Sequence, residues 1–333
     1  MDILYQLPFP KEICNKIFMY ACKSPHTGLA VCILKKKLGI NLNIPEKDED
    51  VIVFDANSPE LTNFPDDYPI AFQKYPFDIY IDIYYYACFY NLIAINISYT
   101  KVMGDIVHLK SLPNLTEIVM GRTKVTGDII HLKSLLNLKH IVFKGTKVSG
   151  DIIHLKSLQS LTYIEFGSTG VTGDIAHLES LPNLTTIKLN HTGVTGDIAH
   201  LKSLQNLTFI EFGSTGVTGN IVHLESLLNL TDIFLYNMSV TGDISHLKSL
   251  QKLIRIYLAE TGVTGDITHL ESLLNLSEIF LCHTGVTGDI ANLKSLPKLI
   301  DIYLGNTGVS GDKEAFHEYR KSAGLPDADC SIF

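Results

Sequence analysis

The dipeptide Gly-Asp returns every 23 residues, from Gly104-Asp105 through Gly127-Asp128, Gly150-Asp151, Gly173-Asp174 and Gly196-Asp197 to Gly311-Asp312, with Gly219-Asn220 as the one variant. No insertion breaks the spacing. A fixed period in the twenties means stacked copies of one unit, each burying its apolar side against the next. Such a chain grows by adding coils, so its 333 residues need not divide into domains of ordinary size.

The unit from Gly173 reads GDIAHLESLPNLTTIKLNHTGVT. Its apolar residues are Ile175, Leu178, Leu181, Leu184, Ile187, Leu189 and Val194. The next unit repeats them as Ile198, Leu201, Leu204, Leu207, Ile210, Phe212 and Val217. The initial spacing of three predicts a turn or short helix, and the spacing of two across Ile187-Lys188-Leu189 predicts a short strand. One strand per coil, stacked in register, makes a parallel sheet with the turns opposite. A degenerate first unit keeps Ile83, Phe89, Leu92, Ile95, Ile97, Thr100 and Val102 in the same columns. About ten coils therefore span residues 81–312, between an N-terminal cap (1–80) and a C-terminal helical cap (313–333).

Leu178, Leu181, Leu184, Ile187, Leu189, Thr192, Val194, Gly196 and Ile198 together resemble the leucine-rich repeat family, and the Gly-x-Ile ending is similar to its plant-type subclass. The resemblance implies an α/β solenoid: a curved right-handed superhelix, a parallel β-sheet on its concave face, and turns or short helices on its convex face. Two departures matter. The family's Pro after the Gly-x-Ile is absent, which leaves a second strand on the convex side open. The family's turn Asn is Thr here, from Thr100 to Thr307, except at Met238. A buried Thr must bond nearby backbone, so Met238 predicts a local irregularity.

Stacking turns each column into a row. The Asp after each Gly reads as a turn cap; one oxygen ligand per coil is too few for a calcium row. His108, His131, His154, His177, His200, His223, His246 and His269 form a second row, read as surface structure whose protonation near pH 6 would cost stability by like-charge repulsion. Lys156, Glu179, Lys202, Glu225, Lys248, Glu271 and Lys294 alternate, each expected to face its opposite on the next coil. Sequons at Asn114, Asn183, Asn206, Asn229 and Asn275 share one column and read as by-products of the repeat. A Thr row from Thr126 to Thr287 is compatible with turn chemistry or an ice-binding surface.

The outward strand positions are where the repeat stops copying itself. One column ends Glu211, Phe234, Tyr257, Phe280, Tyr303, and the column before it ends Phe209, Asp232, Arg255, Glu278, Asp301. Strands about 4.8 Å apart let the four aromatics stack. The stripe reads either as cross-strand packing or as a docking surface, since aromatics and Arg dominate interface energies. In leucine-rich repeat proteins the strand face usually carries recognition, so the expected partner is a protein or peptide held by Phe234, Tyr257, Phe280 and Tyr303 with Asp232, Arg255, Glu278 and Asp301.

In the N-terminal flank, Pro10, Glu12, Ile13, Lys16, Ile17, Phe18 and Tyr20 resemble the opening of an F-box, which implies a ubiquitin-ligase adaptor bound through residues 10–20; the later Trp is absent, for the chain has none. A second helix is predicted at Thr27–Leu38 and an acidic loop at 45–50. In the C-terminal flank, Lys313–Ser322 predicts a helix capped by Asp312, with Phe316 and Tyr319 covering the last coil. A net charge of −8 argues against general nucleic-acid binding. No apolar run approaches a membrane span, and the N-terminus lacks a signal-peptide pattern. The six cysteines show no paired or metal-type spacing, which reads as a reduced, cytoplasmic protein. With no Gly-rich phosphate loop, His-Glu metal motif or nucleophile elbow, no catalytic, cofactor or metal residue is assigned, and the chain reads as non-enzymatic.

Overall fold

Each coil begins where its Asp ends the extended backbone. Asp174, at φ −91° and ψ 128°, accepts a hydrogen bond from the Ala176 N–H at 2.8 Å and caps the 3-10 turn Ile175–Ser180. Asp105, Asp128, Asp151, Asp197, Asp243, Asp266 and Asp289 do the same in their own coils. Asn220 does it with its amide oxygen, 2.9 Å from Val222 N, so the variant dipeptide keeps the cap. The missing proline is explained by the same bond. Its place, after Ile175, is held by Ala176, whose N–H is the cap's donor; proline has none to give.

The computed structural model describes residues 53–55, 83 and 92–331. The F-box-like stretch 10–20, the helix expected at Thr27–Leu38 and the acidic loop lie outside these residues. The chain divides into two compact units, Met1–Gly150 and Asp151–Phe333. Both contain two parallel sheets built one strand per coil. In the second unit Thr186–Lys188 lies between Tyr163–Glu165 and Phe209–Glu211, each Ile beside an Ile. A second strand, Gly193–Asp197, lies between Gly170–Asp174 and Gly216–Asn220. The first unit repeats the scheme: Glu117–Val119 lies between Ala94–Asn96 and His140–Val142, and Lys124–Asp128 between Met103–Asp105 and Lys147–Asp151. The second strand that the sequence left open is therefore present in both units. Its Val-Thr core favours extended backbone.

The core is the columns themselves. Leu178, Leu181, Leu184, Ile187, Leu189 and Val194 are all 0% exposed, and so are their counterparts in the next coil. Burying each is worth about 1.5–3 kcal/mol before ordering costs. Polar side chains then tie each turn. Thr192 Oγ1 donates to Leu189 O at 2.5 Å and Thr284 Oγ1 to Leu281 O at 2.6 Å, so Thr bonds backbone as expected. The residue before each Thr is left-handed, with φ 54° at His191 and 56° at Glu260, a region that non-glycine residues can enter at modest cost. At Met238, the expected irregularity does not appear. The Met is 8% exposed, and Ser239–Asp243 pairs in the same register as its neighbours, because core burial and both sheets hold the coil without the Thr bond.

The sequon asparagines bridge coils. Asn183, Asn206, Asn229 and Asn275 donate their amide nitrogens to the carbonyls of Gln159, Pro182, Gln205 and Gln251 at 2.9–3.1 Å. The column is a structural ladder.

In each unit the first sheet gains a strand from outside the repeat: Val53–Asp55 pairs with Ala94–Asn96 in the first, and Asp329–Ser331 with Asp301–Tyr303 in the second. The helix Lys313–Ser322 is capped by Asp312 through Ala315 N at 3.0 Å. Phe316 is buried, but Tyr319 is 40% exposed beneath Lys294, which corrects its expected role. Arg320, one position on, fills the place. It is 0% exposed, and its guanidinium donates to Leu296 O at 2.9 Å, Leu299 O at 2.7 Å, Lys294 O at 3.2 Å and Pro326 O at 3.0 Å. Those carbonyls have no further coil to stack on, and one fork of donors satisfies them.

Four substitutions test this architecture. Gly127 has φ +113°, and an added Cβ would sit 2.9 Å from Asp105 Cγ; Gly127→Ala should cost about 2–4 kcal/mol in urea unfolding. Gly145→Asn, at φ +67° with only Arg122 Cγ at 3.5 Å, should be nearly neutral. Arg320→Met should fray the last coil, seen as loss of amide-exchange protection there with central coils unchanged. The Ser245 backbone bond, then its side-chain bond, hold the Asp243 carboxyl below its ordinary 3.8. A lowered folded pKa contributes stability that is fully present above the unfolded pKa and is lost as pH falls through the folded one. Asp243→Asn, which copies Asn220, should therefore reduce the drop in melting temperature between about pH 5 and 3.

Candidate functional site

In the repeat strands of the first sheet from Thr186 to Tyr303 the central Ile faces the core and its neighbours face outward. Register places Phe234 beside Tyr257, Tyr257 beside Phe280, and Phe280 beside Tyr303. The rings stack at centroid distances of 4.4, 4.1 and 4.4 Å, with interplanar angles of 30°, 12° and 22°. Strand spacing is close to ring-stacking distance, so the backbone itself sets the stack. Phe209 extends it, 5.2 Å from Phe234. It stands in the neighbouring column, within diagonal cross-strand reach, and that offset is why reading down one column missed it.

The polar neighbours anchor one edge of this stack. Asp232 is buried and accepts from Thr231 Oγ1 at 2.6 Å and from Arg255 Nε. That hydrogen bond raises the Arg255 pKa. The guanidinium carbon lies 5.3 Å from the Phe234 centroid and 6.0 Å from that of Phe209. Tyr257 OH donates to Glu278 Oε2; burial first, and then this bond, push its phenol pKa up. Asp301 lies opposite Glu278 in register. The structure thus brings all eight expected residues to one face.

The other edge of the stack is open. A groove of about 390 Å³ runs beside Phe234, Tyr257 and Phe280, bounded by Tyr236, Ala259 and Asn237, with Glu211 and Glu260 on its lining. Tyr236 lies across Gly213, where any Cβ would collide with the ring. Its phenol is hydrogen-bonded to Asn190, and burial followed by the Glu211 charge raises its pKa. Sequence reasoning missed Tyr236 and Glu260. For Tyr236 a signal was available: Gly213 before it and Ala259 after it in the column are small, and one large ring interrupts them.

The remaining rows are scaffold. His200 Nδ1 lies 2.7 Å from Glu179 Oε1, and His246 Nδ1 3.1 Å from Glu225 Oε2. These glutamates meet the histidine 21 residues on rather than the lysine 23 residues on, which corrects the expected charge ladder. Among the described residues, no group of three or more His, Cys, Asp or Glu is placed to hold a metal, and no helix is long and apolar enough to cross a membrane.

No protein-family model matches the sequence, and no curated protein matches it. Solved structures do. The plant peptide hormone receptor RGFR1, in complex with RGF2, aligns over 70% of this chain at 20% identity and a TM-score of 0.60. A TDR receptor aligns over 76% at 20% identity and a TM-score of 0.64. The internalin InlF from Listeria monocytogenes aligns over 74% at 21% identity and a TM-score of 0.51, covering 82% of its own chain. The match spans less than half of the two receptors, 42% and 45% of their lengths. With one strand of each parallel sheet and one short 3-10 turn per coil, and with these relatives in structure, the fold is a leucine-rich repeat solenoid.

Proposed function

We propose that this chain is a non-enzymatic recognition scaffold that binds a protein or peptide across the outward face of the first sheet, between Phe209 and Tyr303. The observation that carries the reading is the stack of five rings on a solvent-facing sheet surface. Core burial of the coils does not need these rings, because the inward columns are already complete. Large rings pre-ordered by their neighbours lose little entropy when a ligand covers them, the property of interface hot spots. Solved proteins of this fold support the class of partner, among them PEPR1 with AtPEP1 and HAESA with the peptide hormone IDA. An intracellular setting belongs to this reading. A ligase-receptor form of the same role would add adaptor binding through residues 10–20.

Peptides selected from a display library on the immobilised protein supply the test. Tyr257→Ala/Phe280→Ala should weaken the selected peptides at least about 100-fold, with melting temperature measured alongside to confirm folding. Full affinity in the folded double variant contradicts the proposal.

A further inference from the structure

We infer that the groove beside the ring stack receives an aromatic side chain of the ligand, an inference that rests on the peptide-binding reading above. The groove lies where one column of the repeat loses its pattern. Two places past each first-sheet strand, that column reads Gly167, Asn190, Gly213, Tyr236, Ala259 and Cys282. Its large members lean back over the small ones one coil earlier. A Cβ at Gly167 would strike the Asn190 side chain, and one at Gly213 would strike the Tyr236 ring. Neither glycine is left-handed, so each lacks a side chain for space rather than for backbone freedom. A hydrogen bond with Asn190 holds the Tyr236 phenol at that end. The third pair breaks the pattern. Position 282 is Cys, too short to lie over Ala259 as the Tyr236 ring lies over Gly213, and Ala259 lines the open groove instead.

The walls choose the occupant. Phe234, Tyr257 and Phe280 stack face to face at 4.4 and 4.1 Å, so they turn ring edges toward the groove. The Tyr257 hydroxyl points the other way, to Glu278. Ring edges carry the positive end of the quadrupole and ring faces the negative end. An inserted ring can lay its face against those edges, the T-shaped arrangement that aromatic pairs favour; an aliphatic side chain gains contact area alone. Glu211 lies opposite Lys188 in strand register and Glu260 is exposed to solvent, so the rings and the Ala259 methyl set the character of the groove. Its volume of about 390 Å³ lies at the small end of ligand pockets, which suits one side chain.

The probe is the peptide Ac-Gly-Phe-Gly-amide, paired with its cyclohexylalanine counterpart, which keeps the bulk and loses the π-system. Both are titrated into the full chain and followed by the ring resonances of Tyr236 and Tyr257. The phenylalanine peptide should shift both rings and bind at least about twofold tighter than the cyclohexyl peptide. Ala259→Gly/Cys282→Tyr copies the Gly213–Tyr236 pair into the next two coils and fills the groove from within. It should abolish binding of the phenylalanine peptide, with melting temperature measured alongside to confirm folding. Cyclohexyl binding as tight as phenylalanine binding, no shift with phenylalanine, or undiminished binding to the folded double variant overturns the inference. The first two outcomes are read on the unsubstituted chain and stand whether or not the variant folds. Display-selected peptides separate this failure from failure of the broader reading. If they need Tyr257 and Phe280 but ignore the filled groove, the aromatic pocket is wrong and the binding face stands. If they ignore the rings as well, the binding face itself is wrong.

Discussion

The structure depends on a contact between one coil's Asp and the next coil's Gly. Asp105 caps its own turn through Val107 N at 2.7 Å, and its carboxyl fills the space where a Cβ of Gly127 would stand. The same arrangement recurs within each unit, as at Asp174 and Gly196. Two demands fall on that glycine at once. Its φ lies near +110°, which L side chains avoid, and its neighbour leaves no room. The left-handed position before each Thr is different: His, Ser, Asn, Glu and Arg all occupy it at φ of 51–58°. A glycine that cannot change, beside a cap that only Asp or Asn fills, is thus flanked by positions that can.

That division explains where variation collects. The inward columns are filled by Ile, Leu, Val and Phe, with Met at position 120, packed at interior density. The turn columns are held by caps, Thr bonds and the Asn ladder. Outward strand positions carry neither duty, and in the coils from Phe209 to Tyr303 they hold a stack of rings with a charged edge. The scaffold fixes ring spacing, so on the proposed function the binding surface is ordered before any ligand arrives.

Much of this was legible in the sequence. The period gave the coils, the switch from spacing three to spacing two located the first strand, and the four rings of one column were named from strand spacing alone. What escaped was whatever crosses columns. Phe209 joins diagonally, Tyr236 closes the groove over Gly213, and Glu179 turns to His200 instead of a lysine. Reading down columns assumes that each side chain meets its own copy, and side chains of this length reach farther. Arg320 escaped for another reason: a buried guanidinium is rare, and only the unpaired carbonyls of a terminal coil make one favourable.

The most direct measurement is a hydrogen-exchange and ring-resonance footprint of the full chain with a display-selected peptide bound. The account predicts perturbation concentrated on the first-sheet strands from Phe209 to Tyr303 and on the Tyr236 and Glu260 turns, with the Gly193–Asp197 strand and its neighbours in the second sheet unchanged. A footprint centred on that second sheet, or on the 3-10 turns, would contradict it.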